Sequence, residues 1–245
     1  PESILHRGGE INELVERLLN SQRIVMISGS AGLGKTKLAR AVCYDLEDQL
    51  DHIAWLTYDG SLENQLLTLR ILEQNPDRQN RLFQIKEFLN TTEKNVLIVL
   101  DNVNDIPSHA DLQTIASFSP TVKVLITSRL PEIRGVEVYP LNALPLESCM
   151  DIFYMHYKLD PNKEQKKAAQ NIVNSVGLNT FIVELLARSA QAKGEKLEAV
   201  WEEMQQRGFA FSEARLATER ATSAQTLEEY VKVLYEMAGL DEVKQ

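Results

Sequence analysis

Three short stretches carry residues whose types and spacing could do chemistry together. Gly29 to Thr36 reads GSAGLGKT and fits the pattern of glycine, four residues, glycine, lysine, then serine or threonine. Polyphosphate needs backbone N–H groups turned inward around it, which the glycines allow by tolerating unusual φ and carrying no side chain. On this reading Gly29, Ser30, Ala31, Gly32, Leu33 and Gly34 form the cradle, and Lys37 adjoins it in the following helix, whose N-terminal dipole also favours an anion. Lys35 reaches the β- and γ-phosphates as a point charge, and the Thr36 hydroxyl takes one position on an octahedral Mg²⁺. Asp101 ends the apolar run NVLIVL, where a carboxylate can hold the same ion through its water shell; a helix N-cap is the plainer role for such an aspartate. Asn102 stands where many hydrolases place an acid, and an amide can orient a water without deprotonating it. Slow hydrolysis is the expected consequence, with Asn102→Asp holding or raising turnover. Arg129 follows VKVLITS, and if that strand lies between those of the loop and Asp101, its guanidinium points at the γ-phosphate; a surface arginine paired with Glu132 is the alternative.

These groups need a scaffold that brings distant segments to one edge. Arg23 to Ser28 (RIVMIS) is an apolar, β-branched run of strand type, and Lys37 to Leu50 has apolar residues at helical spacing, giving strand, glycine loop and helix in the required order. Glu10 to Leu19 reads as an amphipathic helix leading in, with Ile11, Leu14, Val15, Leu18 and Leu19 as its apolar face. Further strands are predicted at His52–Tyr58, Asn95–Leu100, Val122–Thr127 and Val136–Tyr139. Between them come a helix capped by Ser61, one near Asp77–Leu89 after a break at Asn75 and Pro76, and one at Leu112–Phe118. The whole is an α/β fold, a five-stranded, mostly parallel, doubly wound sheet, followed by a small all-helical domain. That second part is expected in helices at Leu146–Tyr157, Asn162–Val176, Leu178–Ala192 and Leu197–Gln206. A connector over Ser212–Ser223 and a final amphipathic helix opening at Thr226 complete the reading. The expected domains are therefore 1–140 for nucleotide binding, 141–207 helical, and 208–245 a connector with the first helix of another domain.

Composition narrows the partners. With 245 residues and 44% hydrophobic content the chain can bury a full core. Its net charge of −9 supplies no global positive field for nucleic acid or anionic lipid, so neither is expected as a direct partner. The two cysteines, Cys43 and Cys149, lie far apart in helical patterns and read as reduced core residues. The four histidines are scattered, without the spacing of a zinc site. The Lys163–Lys167 run (KEQKK) reads as solvated helix surface, because Glu164 and Gln165 interrupt it. Neither a membrane-length run nor a signal peptide is visible, which points to the cytoplasm, and a first residue of Pro1 points to a piece of a longer chain.

At this point the motifs carry a resemblance. GSAGLGKT, LIVLDNV ending in Val103, LITSR ending in Arg129, LNALPLESCMDIF from Leu141 and VGLNTFIVELLA from Val176 follow the order and spacing of the NB-ARC family. The chain resembles, over roughly residues 4 to 205, a nucleotide-binding module of the STAND class of signalling ATPases, with a bacterial cast to its Asp101–Asn102 pair. The resemblance implies ATP or ADP with Mg²⁺ as ligands, a weak regulatory ATPase activity, and a switch that ADP holds closed and ATP opens to self-association in the full-length protein. It implies a sheet with the loop's strand beside the fourth strand, and effector and sensor domains outside this chain. The family's opening Gly-Arg pair followed by Glu maps onto His6, Arg7 and Glu10, which places Arg7 on the adenine side. Its GLPL becomes Gly177, Leu178, Asn179 and Thr180, so Asn179 stands where a proline packs on the adenine ring. The family's winged-helix domain, whose histidine recognises ADP, is expected mostly beyond Gln245, and without it discrimination between ADP and ATP is expected to be poor. Two other readings stay open. A turnover ATPase of AAA+ type or a small-molecule kinase would want an acid at Asn102, and a nucleotide-regulated transcription factor would carry its DNA-binding part elsewhere.

Overall fold

Continuous β-branched runs form strands here because both of their faces find apolar cover. The computed structural model describes residues 6–70, 77–158, 162–194 and 196–206. Helix α1 (Gly8–Glu16) leads through a wider turn at Arg17–Ser21 into β1 (Ile24–Ser28), and α2 (Lys35–Leu46) follows the glycine loop. Then come β2 (His52–Thr57), the short α3 (Leu62–Leu66), α4 (Arg78–Thr91), β3 (Val96–Asp101), α5 (His109–Ser117), β4 (Val122–Ser128) and β5 (Glu137–Pro140). Among the described residues of this part of the chain the predicted strands and helices are present, with ends moved by a few residues. One helix departs from its reading: at Arg17–Ser21 the hydrogen bonding widens, Gln22 donating to the Arg17 carbonyl at 2.7 Å. The wider turn keeps Leu18 fully buried and leaves Leu19, expected on the apolar face, 37% exposed.

The five strands form one sheet in the order β2-β3-β4-β1-β5, with every neighbouring pair parallel. Central strands β1, β3 and β4 are buried almost throughout, as expected where helices cover both faces. Ser28 lies opposite Ser128, and Leu100 opposite Ile126, so the carboxyl ends of β1, β4 and β3 come level at one edge. That edge is where ligands meet an open parallel sheet. On one face the core gathers Met26, Leu56, Leu66, Ile98 and Val124. Helix α2 packs against α1 and the strands, burying Leu38, Ala39, Val42 and Leu46.

Contacts group the chain into two units, the division falling after Leu141, with the loop tip Ala31–Gly34 counted in the second. Four helices make up the rest of the described second unit: α6 (Leu146–His156), α7 (Lys163–Ser175), α8 (Thr180–Lys193) and α9 (Leu197–Gln206). Phe153, Tyr157, Ile172, Val183 and Met204 fill its core. Its helix starts are set by side chains: Asn162 and Gln165 make a reciprocal capping box for α7, and Asn179 caps α8. The connector over Ser212–Ser223, the helix from Thr226 and the break at Asn75 and Pro76 fall outside the described residues.

Candidate functional site

The first unit brings the reactive groups to the carboxyl edge of the sheet. Asp101 closes β3, and its Oδ1 accepts hydrogen bonds from the Thr36 hydroxyl at 2.9 Å and the Thr127 hydroxyl at 2.5 Å. Sequence reasoning found Thr36 and missed Thr127. The signal was register: with Leu100 opposite Ile126, the next pair along the parallel strands is Asp101 and Thr127. Thr127 also accepts from the Asn102 backbone N–H at 2.9 Å, so one hydroxyl orients the carboxylate and anchors the residue after it. The donor set suits Mg²⁺: two hard oxygens 2.9 Å apart match the spacing of neighbouring ligands on an octahedron with bonds of about 2.0–2.1 Å. Among the described residues no cluster of three or more His, Cys, Asp or Glu could hold a metal alone, so Thr36 and Asp101 would hold it together with phosphate oxygens and water.

Lys35 opens α2 and folds its ammonium back onto the loop, donating to the Gly29 carbonyl at 2.6 Å and the Ser30 carbonyl at 2.8 Å. Burial, and then the nearby Arg129 guanidinium, lower its pKa to about 8, against the opposing pull of Asp101. Arg129 therefore lies within electrostatic reach of Lys35. The sheet order meets the condition set for it, since β4 runs between β1 and β3. Arg129 is exposed, and among the described residues it forms no ion pair with Glu132. A second residue missed in the sequence, Asn104, accepts a hydrogen bond from the Arg129 backbone N–H at 3.1 Å and donates through Nδ2 to Asn102 Oδ1. Asn102 itself has φ of 67°, in the left-handed region that asparagine tolerates better than most residues. A polar triplet separated by alternate positions, Asn102 and Asn104 after Asp101, was its only trace in the sequence.

The loop tip has partners within the second unit. Gly32 and Gly34 have φ of 81° and 91°, where a side chain would be strained. A Cβ on Gly32 would also lie 2.2 Å from Asn179 Oδ1, so this position needs glycine on two counts. Asn179 is 2% exposed; its Oδ1 accepts from the Ile182 N–H at 3.3 Å and its Nδ2 donates to the Ala31 carbonyl at 2.9 Å. The Thr180 hydroxyl and the Phe181 N–H both donate to the Gly32 carbonyl, at 2.8 and 3.1 Å. Asn179 is thus a helix cap and a tie to the loop. Arg7, by contrast, belongs to the first unit: it is buried beside α1 and paired with Glu10 at 2.6 Å. His6, at the place of the resembled family's glycine, has φ of 62°, a conformation glycine would adopt freely. Lys37 is exposed in the first turn of the site's helix, and Ser30 is exposed at the loop's near side.

Comparison with known proteins bears on the same residues. A family model described as the NB-ARC domain matches residues 7–155. Disease resistance protein RRS1 of Arabidopsis thaliana is 24% identical over 196 residues, covering 73% of this chain and 15% of that protein. TMV resistance protein N of Nicotiana glutinosa is 28% identical over 190 residues, covering 67% of this chain and 16% of its own length. The chain thus spans about one-sixth of the length of these curated relatives. Among solved structures, Cdc6p from Pyrobaculum aerophilum superposes with a TM-score of 0.56 at 14% identity over 80% of this chain and 65% of that one. A Walker-type ATPase of Pyrococcus abyssi gives 0.55 at 13% identity over 89% and 77%. At such identities the structural likeness establishes the fold, a P-loop nucleotide-binding one.

Proposed function

Because the chain belongs to the NB-ARC family, we propose that it is the ATP- and ADP-binding switch module of a STAND-class signalling protein, in which slow Mg²⁺-dependent hydrolysis governs passage between closed and open, self-associating forms. One observation carries the reading: the Lys35 ammonium lies folded onto the glycine loop, within electrostatic reach of Arg129 and beside the paired oxygens of Thr36 and Asp101. Two cations beside a single carboxylate leave net positive charge at this edge, which suits a polyphosphate. Lys35 would bind the β- and γ-phosphates, Arg129 would sense the γ-phosphate in cis, and Thr36 with Asp101 would hold Mg²⁺, which when bound neutralises charge on the phosphates. Ser30, Ala31, Leu33 and Lys37 contribute the cradle, Arg7 and Asn179 the adenine side. A switch further requires that the two nucleotides favour different forms, since equal affinity shifts nothing. The relatives are disease-resistance proteins several times longer than this chain, which supports effector and sensor parts lying elsewhere in the protein. Among the described residues no helix is long and apolar enough to cross a membrane, and the reading places the module in the cytoplasm.

The function is tested by binding and turnover on the unmodified protein. Calorimetry should detect both ATP and ADP, and Mg²⁺-dependent turnover should fall well below the ~10 s⁻¹ typical of dedicated enzymes. Turnover at that rate would sink the switch reading in favour of a turnover ATPase.

A second expectation follows from the pKa of Lys35, which burial and then Arg129 lower to about 8. Bound polyphosphate restores the ammonium, so binding takes up a proton at any pH where free Lys35 has lost it. Affinity should fall as pH rises through about 8, with proton uptake growing between about pH 7.5 and pH 9.5. Titrations in buffers of different ionisation heat read the uptake directly, and Lys35→Arg should abolish it. For stability the sign is opposite: the unfolded chain binds this proton up to about pH 10.5 and the folded chain only to about 8, so stability from this group rises with pH between them.

A further inference from the structure

We propose that Asn104 is a positioning residue that fixes the Asn102 carboxamide as a hydrogen-bond donor to the γ-phosphate of bound ATP, so that Asn102 favours ATP over ADP instead of orienting the attacking water. The inference deepens the nucleotide-switch reading above and rests on it. An asparagine amide has two ends of similar size, and only its partners decide which is oxygen. Here the chain of partners starts from a group with no choice. The Arg129 backbone N–H can only donate, so the Asn104 atom it meets at 3.1 Å must be Oδ1. The other end of Asn104 is then Nδ2, which can only donate, and the Asn102 atom it meets must be Oδ1. What Asn102 has left is its own Nδ2. Among the described residues that amide nitrogen has no acceptor, and Asn102 is exposed.

Its place on the rim indicates what it would meet. Asn102 directly follows Asp101, whose carboxylate holds the Thr36 hydroxyl, and Asn104 ties it to the backbone of Arg129, a cation within electrostatic reach of Lys35. The Thr127 hydroxyl pins the Asn102 backbone to the same strand end. A donor there suits an anionic oxygen, whereas a nucleophilic water activated at this position needs an acceptor for its proton. A group that binds the ground-state γ-phosphate lowers the free energy of bound ATP without lowering the barrier. It also makes contact with ATP that ADP cannot offer, which is the difference in affinity a switch requires.

The test is a double-mutant cycle on the whole chain, read as the affinity ratio of a non-hydrolysable β,γ-imido ATP analogue to ADP, both with Mg²⁺. Asn102→Gly keeps the left-handed backbone and removes the amide; it should cost the analogue about tenfold and leave ADP unchanged. Asn104→Asp still accepts from the Arg129 N–H but presents oxygen to Asn102, forcing its amide to turn and face the site with Oδ1. It should lower analogue affinity by a similar factor. The added charge of that variant is separated by repeating it on Asn102→Gly: a positioning role predicts a much smaller loss there, and charge alone predicts the same loss in both backgrounds. Hydrogen exchange of the Arg129 amide gives a nucleotide-free readout, protected in the unmodified protein and in Asn104→Asp, and exposed in Asn104→Leu. Equal losses in both backgrounds, an unchanged ratio in Asn102→Gly, or an unprotected Arg129 amide in the unmodified protein each overturn the proposal. Failure of the unmodified protein to bind either nucleotide would instead overturn the nucleotide reading, and this inference with it.

Discussion

Lys35→Ala is expected to weaken binding of ATP and ADP by about a hundredfold or more while leaving the melting temperature within about 2 °C. The loss is large because the ammonium is the cation aimed at two phosphates at once, and charge-assisted hydrogen bonds are the strong ones. Stability is spared for a reason visible in the structure. There the ammonium is partly desolvated and faces Arg129, which together lower its pKa to about 8, so the fold carries the charge at a cost. Its compensation is two hydrogen bonds to the Gly29 and Ser30 carbonyls. Removing the side chain frees those carbonyls to water at an exposed loop and relieves the repulsion, two effects of opposite sign. Calorimetry with each nucleotide beside a thermal melt checks the pair of outcomes: full affinity with a native melt would mean that the loop is not the site.

What could be read in advance, and what could not, divides along the range of the interactions. Strands such as Val96–Asp101 and Val122–Ser128 announce themselves because a parallel sheet covered on both faces demands unbroken apolar runs. The loop was legible because polyphosphate binding constrains glycine, lysine and threonine at fixed spacing within eight residues. Arg129 needed one fact no local pattern holds, that β4 lies between β1 and β3. Thr127 and Asn104 were missed for the same reason. A threonine in a strand is ordinary, and it becomes an orienting group only when parallel pairing sets it beside Asp101. An asparagine just after a strand is equally ordinary, and Asn104 gains a direction only from the Arg129 N–H that its amide oxygen accepts. The outward turn of Leu19 was hidden too, because helical periodicity assumes 3.6 residues per turn and the widened turn at Arg17–Ser21 breaks the count.

Asn179 shows a different limit. Motif comparison set it in place of a proline and so assigned it to the adenine side, which uses only its position. Its chemistry is used otherwise as well: one end caps α8 and the other holds the Ala31 carbonyl, beside a Gly32 that has no room for a side chain. An asparagine can cap a helix and tie down a carbonyl at once, while a proline side chain has neither the acceptor for the first bond nor the donor for the second. The substitution of the motif therefore adds hydrogen bonds to the loop tip within its own unit.

Asp101→Asn is expected to cut Mg²⁺-dependent turnover by at least about a hundredfold, with much less effect on the fold than on the chemistry. The substitution isolates charge from shape. An asparagine oxygen can still accept from both the Thr36 and Thr127 hydroxyls, which hold Asp101 Oδ1 at 2.9 and 2.5 Å, so the edge of the sheet stays joined. The negative charge that would face Mg²⁺ is lost, and a neutral amide oxygen is a weaker ligand for a hard cation. Nucleotide affinity should then lose its dependence on Mg²⁺ while affinity without the ion holds or rises, because a carboxylate near polyphosphate is repulsive when no cation lies between them. Asp101→Ala removes the acceptor as well as the charge and should add a loss of stability to the same kinetic defect, since two hydroxyls lose their partner. Turnover against Mg²⁺ concentration, with chemical denaturation of both variants, separates these effects. If Asp101→Asn keeps the turnover and Mg²⁺ dependence of the unmodified chain, Asp101 serves only to hold the hydroxyls of Thr36 and Thr127, and the ion belongs to other groups.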